Sequence, residues 1–203
     1  MLTSTPRSGN GLQAPVVELG ATYWITGLPG AGKSSLGRLL WWRLHANGRP
    51  ALLLDGDTLR RIIGQRYGYG RSDRHALASM YGQLCHELSR QGADVVCATV
   101  SMFEDVRQWN RANIPGYREI YLRVPIEILK RRHPKGLYAA AEAGRVRDVP
   151  GMDQAFEAPC QPDVIIENDG SKSIEAVAEE LFGNWPDELG TNAPASDRLD
   201  GIN

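Results

Sequence analysis

Along the chain, short apolar runs rich in β-branched and aromatic residues alternate with longer segments whose apolar positions recur every three to four residues. Five runs predict strands: Thr22-Tyr23-Trp24-Ile25-Thr26, Ala51–Leu54, Asp94–Val100, Arg118–Val124 and Asp163–Glu167. Between them, Leu36, Leu39, Leu40 and Leu44 lie at helical spacing, and so do Leu77, Met80, Tyr81, Leu84 and Leu88, with Asp73 as the expected cap of the second stripe. Further helices are expected over Thr58–Ile63, Glu104–Asn113, Ile126–Arg131, Tyr138–Ala143 and Ile174–Phe182. Gly48-Arg49-Pro50, Tyr67-Gly68-Tyr69-Gly70-Arg71-Ser72, Gln91-Gly92 and Pro115-Gly116 punctuate the pattern. Strands alternating with helices at short spacing predict an α/β fold, a parallel sheet with helices on both faces. Ligands of such sheets bind beyond the carboxyl ends of the strands, which collects Gly27–Ser34, Asp55–Asp57, Ser101 and the loop after Val124 on one rim.

Composition narrows the class. A chain of 203 residues fits one domain with tails, and 42% hydrophobic with 23% charged residues is ordinary for a globular protein. Residues 1–18 and 185–203 are polar, with Pro, Gly, Ser and Asn, and are expected to be flexible tails around a domain at 19–184. A formal net charge of −1 offers no basic footprint for nucleic acid and no polybasic membrane signal. Cys85, Cys97 and Cys160 form no C-x-x-C and no close Cys/His set, so neither a disulfide framework nor a zinc site is expected. With no apolar run of spanning length and no signal-peptide order at the N-terminus, the cytoplasm is the expected compartment. Trp41 and Trp42 are about 100° apart on one helix. One of them is therefore expected to be partly exposed, where it suits a homodimer contact.

The chemistry starts at the first strand. It passes into Gly27-Leu28-Pro29-Gly30-Ala31-Gly32-Lys33-Ser34-Ser35, a G-x-x-x-x-G-K-S loop that opens a helix. In this context the loop is a mechanism: its glycines curl the backbone so that N–H groups face a polyphosphate, and the helix adds its positive end. Lys33 can reach the terminal phosphates of ATP, and the Ser34 hydroxyl can ligate Mg2+. Asp55, delivered to a strand end by three leucines, resembles the carboxylate that holds magnesium through water. Asp57, two positions on, can accept a proton from an attacking hydroxyl; which aspartate does which stays open. Arg131-Arg132-His133-Pro134-Lys135-Gly136-Leu137-Tyr138 predicts a basic lid over about 132–158, with Arg132 and Lys135 as its cations. Arg60, Arg74, Arg107 and Arg111 are further candidates for an anionic acceptor. No Asn-Lys-x-Asp guanine-reading motif occurs.

Residues from about Ala21 to Ser171 resemble the adenylylsulfate (APS) kinases, P-loop enzymes that transfer phosphate from ATP to the 3′-hydroxyl of adenylyl sulfate. The matching stretches are Gly27–Ser34, Leu54–Asp57 with Arg60, Asp73-Arg74, Ser101 with Arg107 and Arg111, Lys135–Tyr138, and Gly151 through Glu157-Ala158-Pro159. The resemblance implies that Arg60 and Arg74 face the nucleotide acceptor, that Tyr69 stacks on its base, and that Ser101 stands where the family has a phosphoserine. Departures fall on the acceptor side or the lid: Leu77 where the family has asparagine, Val149 where it has a base-stacking aromatic, and His133 within Arg-Asp-Pro-Lys. The run Ala98–Phe103 with Trp109-Asn110-Arg111 and Ile114-Pro115 is also similar to a sub-branch acting on cytidine diphosphoramidate in capsule modification. Three readings follow: an APS kinase of sulfate assimilation, a kinase of a CDP-linked acceptor, and a nucleotide-binding module without catalysis.

Overall fold

The computed structural model describes residues 18–63, 66–132 and 136–189. Strands β1 (Thr22–Thr26), β2 (Ala51–Asp55), β3 (Asp94–Ala98), β4 (Tyr117–Arg123) and β5 (Val164–Glu167) form a parallel sheet in the order β2-β3-β1-β4-β5. The intervening helices are α1 (Lys33–Ala46), α2 (Gly56–Ile63), α3 (Arg71–Arg90), α4 (Glu104–Asn113), α5 (Ile126–Arg132), α6 (Leu137–Glu142), α7 (Ile174–Phe182) and α8 (Pro186–Leu189).

Alternation along β1 divides the core. Tyr23 and Ile25 point to a cluster that includes Leu36, Leu40 and Leu44 of α1 and Val177, Ala178 and Leu181 of α7. Trp24 points the other way, to Leu77, Tyr81 and Cys85 of α3. Both faces of the sheet are therefore covered, which is why its strands read as continuous apolar runs.

The order of strands places the site. From central β1 the chain moves to one side through β2 and β3, then crosses to β4 and β5 on the other. The crevice at such a reversal lies outside the carboxyl ends of the central strands. Ala98 is paired with both Ile25 and Asp55, so β1, β2 and β3 end level with one another.

The predicted strands and helices stand within a few residues of their expected ends, with two instructive differences. Asp73 is not the cap of α3: the helix starts at Arg71 after Gly70, and the Asp73 carboxylate accepts the Gly68 N–H at 2.9 Å, closing the preceding loop. The polar stretch expected as tail from Trp185 is folded as far as Leu189. Leu189 is buried, Asn47 Nδ2 donates to its carbonyl at 2.6 Å, and Glu188 accepts from the Tyr23 hydroxyl at 2.8 Å and from Arg118 at 2.7 Å. Polar composition concealed this because the partners lie more than 60 positions away. Most of both expected tails lies outside the described residues.

Trp41 and Trp42 are both half-buried; Trp41 donates its indole N–H to the Ala51 carbonyl at 3.1 Å. Among the described residues no helix is long and apolar enough to cross a membrane.

Candidate active site

A cavity of about 490 Å³ opens at the level strand ends. Pro29, Gly30, Gly32, Lys33, Ser34 and Ser35 wall one end of it, and Arg60, Tyr69, Arg74, Leu77 and Tyr81 the other, with Asp55 and Asp57 also lining it.

At the phosphate end, backbone dominates. Gly32 has φ +99°, a left-handed conformation that L side chains rarely adopt, and an added Cβ would stand 3.0 Å from the Asn168 amide. At Gly27, also at positive φ, a Cβ would lie 2.5 Å from the Leu122 carbonyl oxygen. The loop is thus held against its neighbours by residues without side chains. Lys33 enters the first turn of α1 and donates from Nζ to the Leu28 carbonyl at 2.9 Å, bridging its own loop. Burial pushes its ammonium down to about 8, against the pull of the Asp57 and Asp55 carboxylates. An incoming phosphate would supply the anion this buried cation lacks. Gly27, Leu28 and Ala31 belong to the same loop and do not line the cavity.

Asp55 ends β2 and caps α2, its Oδ1 accepting the N–H groups of Asp57 and Thr58 at 3.1 Å each. That leaves Oδ2 free to accept the Ser34 hydroxyl at 2.5 Å. Two hard oxygen ligands brought together beside the phosphate cradle, one already fixed by backbone donors, fit a magnesium ion. Asp57 starts the first turn of α2 and lines the cavity with its carboxylate.

At the other end, side chains dominate. Two guanidinium groups lie close to the Tyr69 ring, with Arg60 Cζ 4.6 Å and Arg74 Cζ 5.4 Å from its centroid. Arg60 donates to the carbonyls of Gly68 at 2.7 Å and Tyr67 at 3.3 Å. Arg74 donates to the carbonyls of Tyr69 at 2.8 Å and Asp148 at 3.1 Å. Burial and the neighbouring Arg60 push Arg74 down from its ordinary value, so this pair favours an anion between or beside its members. Gln154 Nε2 donates to the Tyr69 carbonyl and to Asp148 Oδ1, each at 3.0 Å, and Asp148 is held at φ +62°. The segment at 148–154 is therefore latched to the aromatic wall.

Several expected site residues lie elsewhere. Ser101 is fully buried and does not line the cavity; its carbonyl accepts from Thr26 Oγ1 at 2.9 Å and Arg107 Nη1 at 2.8 Å, which turns the chain under α4. A covalent role for its hydroxyl has no geometric support. Val149 is 1% exposed and packs in the main core, its N–H donating to Asp153 Oδ1 at 2.7 Å. It offers no stacking surface to an acceptor base. Arg107 and Arg111 are engaged by Glu104, Glu119 and Asp163 away from the cavity. Arg132 stands beside the P-loop: its Nη2 donates to the Asn168 carbonyl at 2.7 Å, and Asn168 Nδ2 donates to the Ala31 carbonyl at 2.9 Å. Lys135 and His133 lie outside the described residues.

Sequence reasoning missed Asn168, Gln154 and Tyr81. Asn168 follows β5 on the same rim, so the strand-end rule reaches it; the other two carry no local signal. Tyr138 belongs to an expected motif, and its hydroxyl donates to the Pro29 carbonyl at 2.8 Å, tying α6 to the P-loop.

A parallel sheet with a P-loop at its switch point, a carboxylate on the P-loop serine and an anion-favouring wall opposite define a P-loop phosphotransferase. The family model for adenylylsulphate kinase matches residues 19–167, and the chain belongs to that family. It is 36% identical over 165 residues to an adenylyl-sulfate kinase of Picosynechococcus sp., covering 80% of this chain and 93% of that one. It is 34% identical to a probable adenylyl-sulfate kinase of Archaeoglobus fulgidus, covering 72% and 94% respectively. Among solved structures, the Mycobacterium tuberculosis APS kinase in complex with AMPPNP and APS aligns with a TM-score of 0.74 at 32% identity, covering 82% of this chain and 97% of that one.

Proposed function

We propose that this chain transfers the terminal phosphoryl group of ATP to the 3′-hydroxyl of adenylyl sulfate, giving 3′-phosphoadenylyl sulfate. The observation that carries the reading is one cavity with a phosphate cradle at one end, an aromatic ring beside two arginines at the other, and two carboxylates lining it.

Each residue then has a task. The loop N–H groups and Lys33 hold the β- and γ-phosphates and neutralise charge that grows during transfer. Ser34 and Asp55 would hold Mg2+, which supplies further neutralisation. Asp57 takes the proton of the attacking hydroxyl. Tyr69 stacks on the acceptor base while Arg60 and Arg74 bind its anionic groups. Residues of about 132–158, with Arg132 and Lys135, act as a lid that excludes water, Tyr138 anchoring it to the P-loop. Transfer between two bound nucleotides needs positioning rather than a covalent enzyme intermediate, in keeping with the burial of Ser101. Half-buried Trp42 carries the expectation of a homodimer; a monomer by light scattering at working concentration removes it.

The test is ADP release from magnesium-ATP with adenylyl sulfate and a CDP-linked phosphoramidate offered separately. Turnover with adenylyl sulfate supports the proposal, and turnover with the cytidine compound alone replaces it. ATP binding with neither turnover leaves a binding module.

A further inference from the structure

Tyr81 lies in the middle of α3 and belongs to the stripe of apolar positions that faces the sheet. Its ring is 3% exposed and packs in one cluster with Trp24, Leu77 and Cys85. Yet it also lines the cavity, and no side-chain hydrogen bond within the described residues engages its hydroxyl. Buried tyrosines ordinarily satisfy that group. Here it opens on the cavity, where a ligand can satisfy it.

Its surroundings say which part of a ligand it meets. Of the α3 residues that line the cavity, Arg74 is already assigned to an anion and Leu77 and Ala78 have no polar side-chain atom, which leaves Tyr81 as the neutral donor that α3 offers. Arg60, Asp57 and Asp55 are close enough for their charges to bear on its ionisation. These are the groups assigned above to the acceptor's anion, its proton and the metal. Burial pushes the phenol up to about 12, so it stays a donor throughout the neutral range.

We infer that the Tyr81 hydroxyl donates a hydrogen bond to an oxygen of the sugar–phosphate portion of the acceptor nucleotide, making Tyr81 a specificity-determining residue of the cavity floor. The inference rests on the proposed reading of the cavity as a joint site for ATP and a nucleotide acceptor. A site built to hydrogen-bond a substrate oxygen discriminates against ligands that lack it, because a donor left unpaired in a closed site is costly.

The experiment is steady-state ADP release by the full chain and its Tyr81→Phe variant, with adenylyl sulfate and ATP varied in turn, together with thermal melting of both proteins. Phenylalanine keeps the ring and its packing and removes only the hydroxyl. The expected result is an acceptor KM raised about five- to tenfold, the loss of one neutral hydrogen bond, with the KM for ATP and the Tm unchanged. An unchanged acceptor KM overturns the inference while leaving the function intact. A fall in Tm, or both KM values rising together, also overturns it, since the hydroxyl is then structural. Absence of ADP release by the unmutated chain removes the functional reading and this inference with it.

Discussion

The two ends of the cavity are built from different materials. The phosphate end is one continuous stretch of chain, Pro29–Ser35, whose curl is set by glycines at positive φ, Gly30 and Gly32. The acceptor end gathers side chains from α2, the loop at 66–70, α3 and the end of β3, and is braced by the segment at 148–154. A backbone cradle serves any nucleoside triphosphate and tolerates little change. A wall of side chains can be altered one residue at a time, which is where a family diversifies its acceptors.

The sharpest way to break this comparison is Lys33→Ala. It removes the cation of the phosphate end, and kcat is expected to fall about 10²–10³-fold while the acceptor KM stays within about twofold. An equal loss in acceptor binding would show that the two ends are not separable. Next comes the pair between them. Asp57→Asn should lower kcat about 10²–10⁴-fold and leave the magnesium dependence unchanged, as removal of a general base does. Asp55→Asn should instead raise the magnesium concentration needed for half-maximal rate, because it loses the oxygen facing Ser34. Reversal of these two outcomes exchanges the assigned roles.

A smaller effect is expected from Gln154→Ala. It cuts both the bond to the Tyr69 carbonyl and the bond to Asp148, so the ring loses its brace without losing its contacts. The acceptor KM should rise about fivefold with kcat and the KM for ATP unchanged, the cost of roughly one neutral hydrogen bond. Restoration by Gln154→Asn is not expected, since the shorter amide cannot span both acceptors.

The same contrast explains what was legible in the sequence. The strand-loop-helix around Lys33 and the strand-end position of Asp55 are local, so contiguous residues announce them. The parallel sheet follows from alternation alone. Tyr81 was readable only as a core residue, which it also is: period shows which face of α3 is buried, not that one hydroxyl on that face opens into a cavity. Gln154 and Asn168 work through partners 85 and 137 positions away. Ser101 and Val149 failed in the opposite sense. A motif position says that a residue lies near a site, but Ser101 is turned under α4 by Arg107 and Val149 is packed into the core. Docking of α8 through Glu188 and Leu189 was hidden for the same reason of distance in the chain.

The smallest expected effect concerns the scaffold behind the acceptor wall. Glu157 accepts the Glu104 N–H at 2.9 Å at the start of α4 and pairs with Arg71 at the start of α3, joining the two helices. The Glu104 N–H first, and Arg71 second, hold its carboxyl below the ordinary glutamate range. A carboxyl depressed on folding contributes stability above its unfolded value, and that contribution is lost as pH falls through the unfolded and then the folded value. Glu157→Gln should therefore lower Tm at neutral pH by no more than about 3 °C, since the pair with Arg71 is partly exposed and screened by solvent. The difference from the unmutated chain should close as the pH is brought from about 5 to about 3. If the difference instead persists at pH 3, Glu157 acts through packing and not through its charge. ATP affinity should not change in this variant at any pH, because the phosphate end takes its shape from backbone; a change there would join the two ends through the scaffold that the comparison keeps apart.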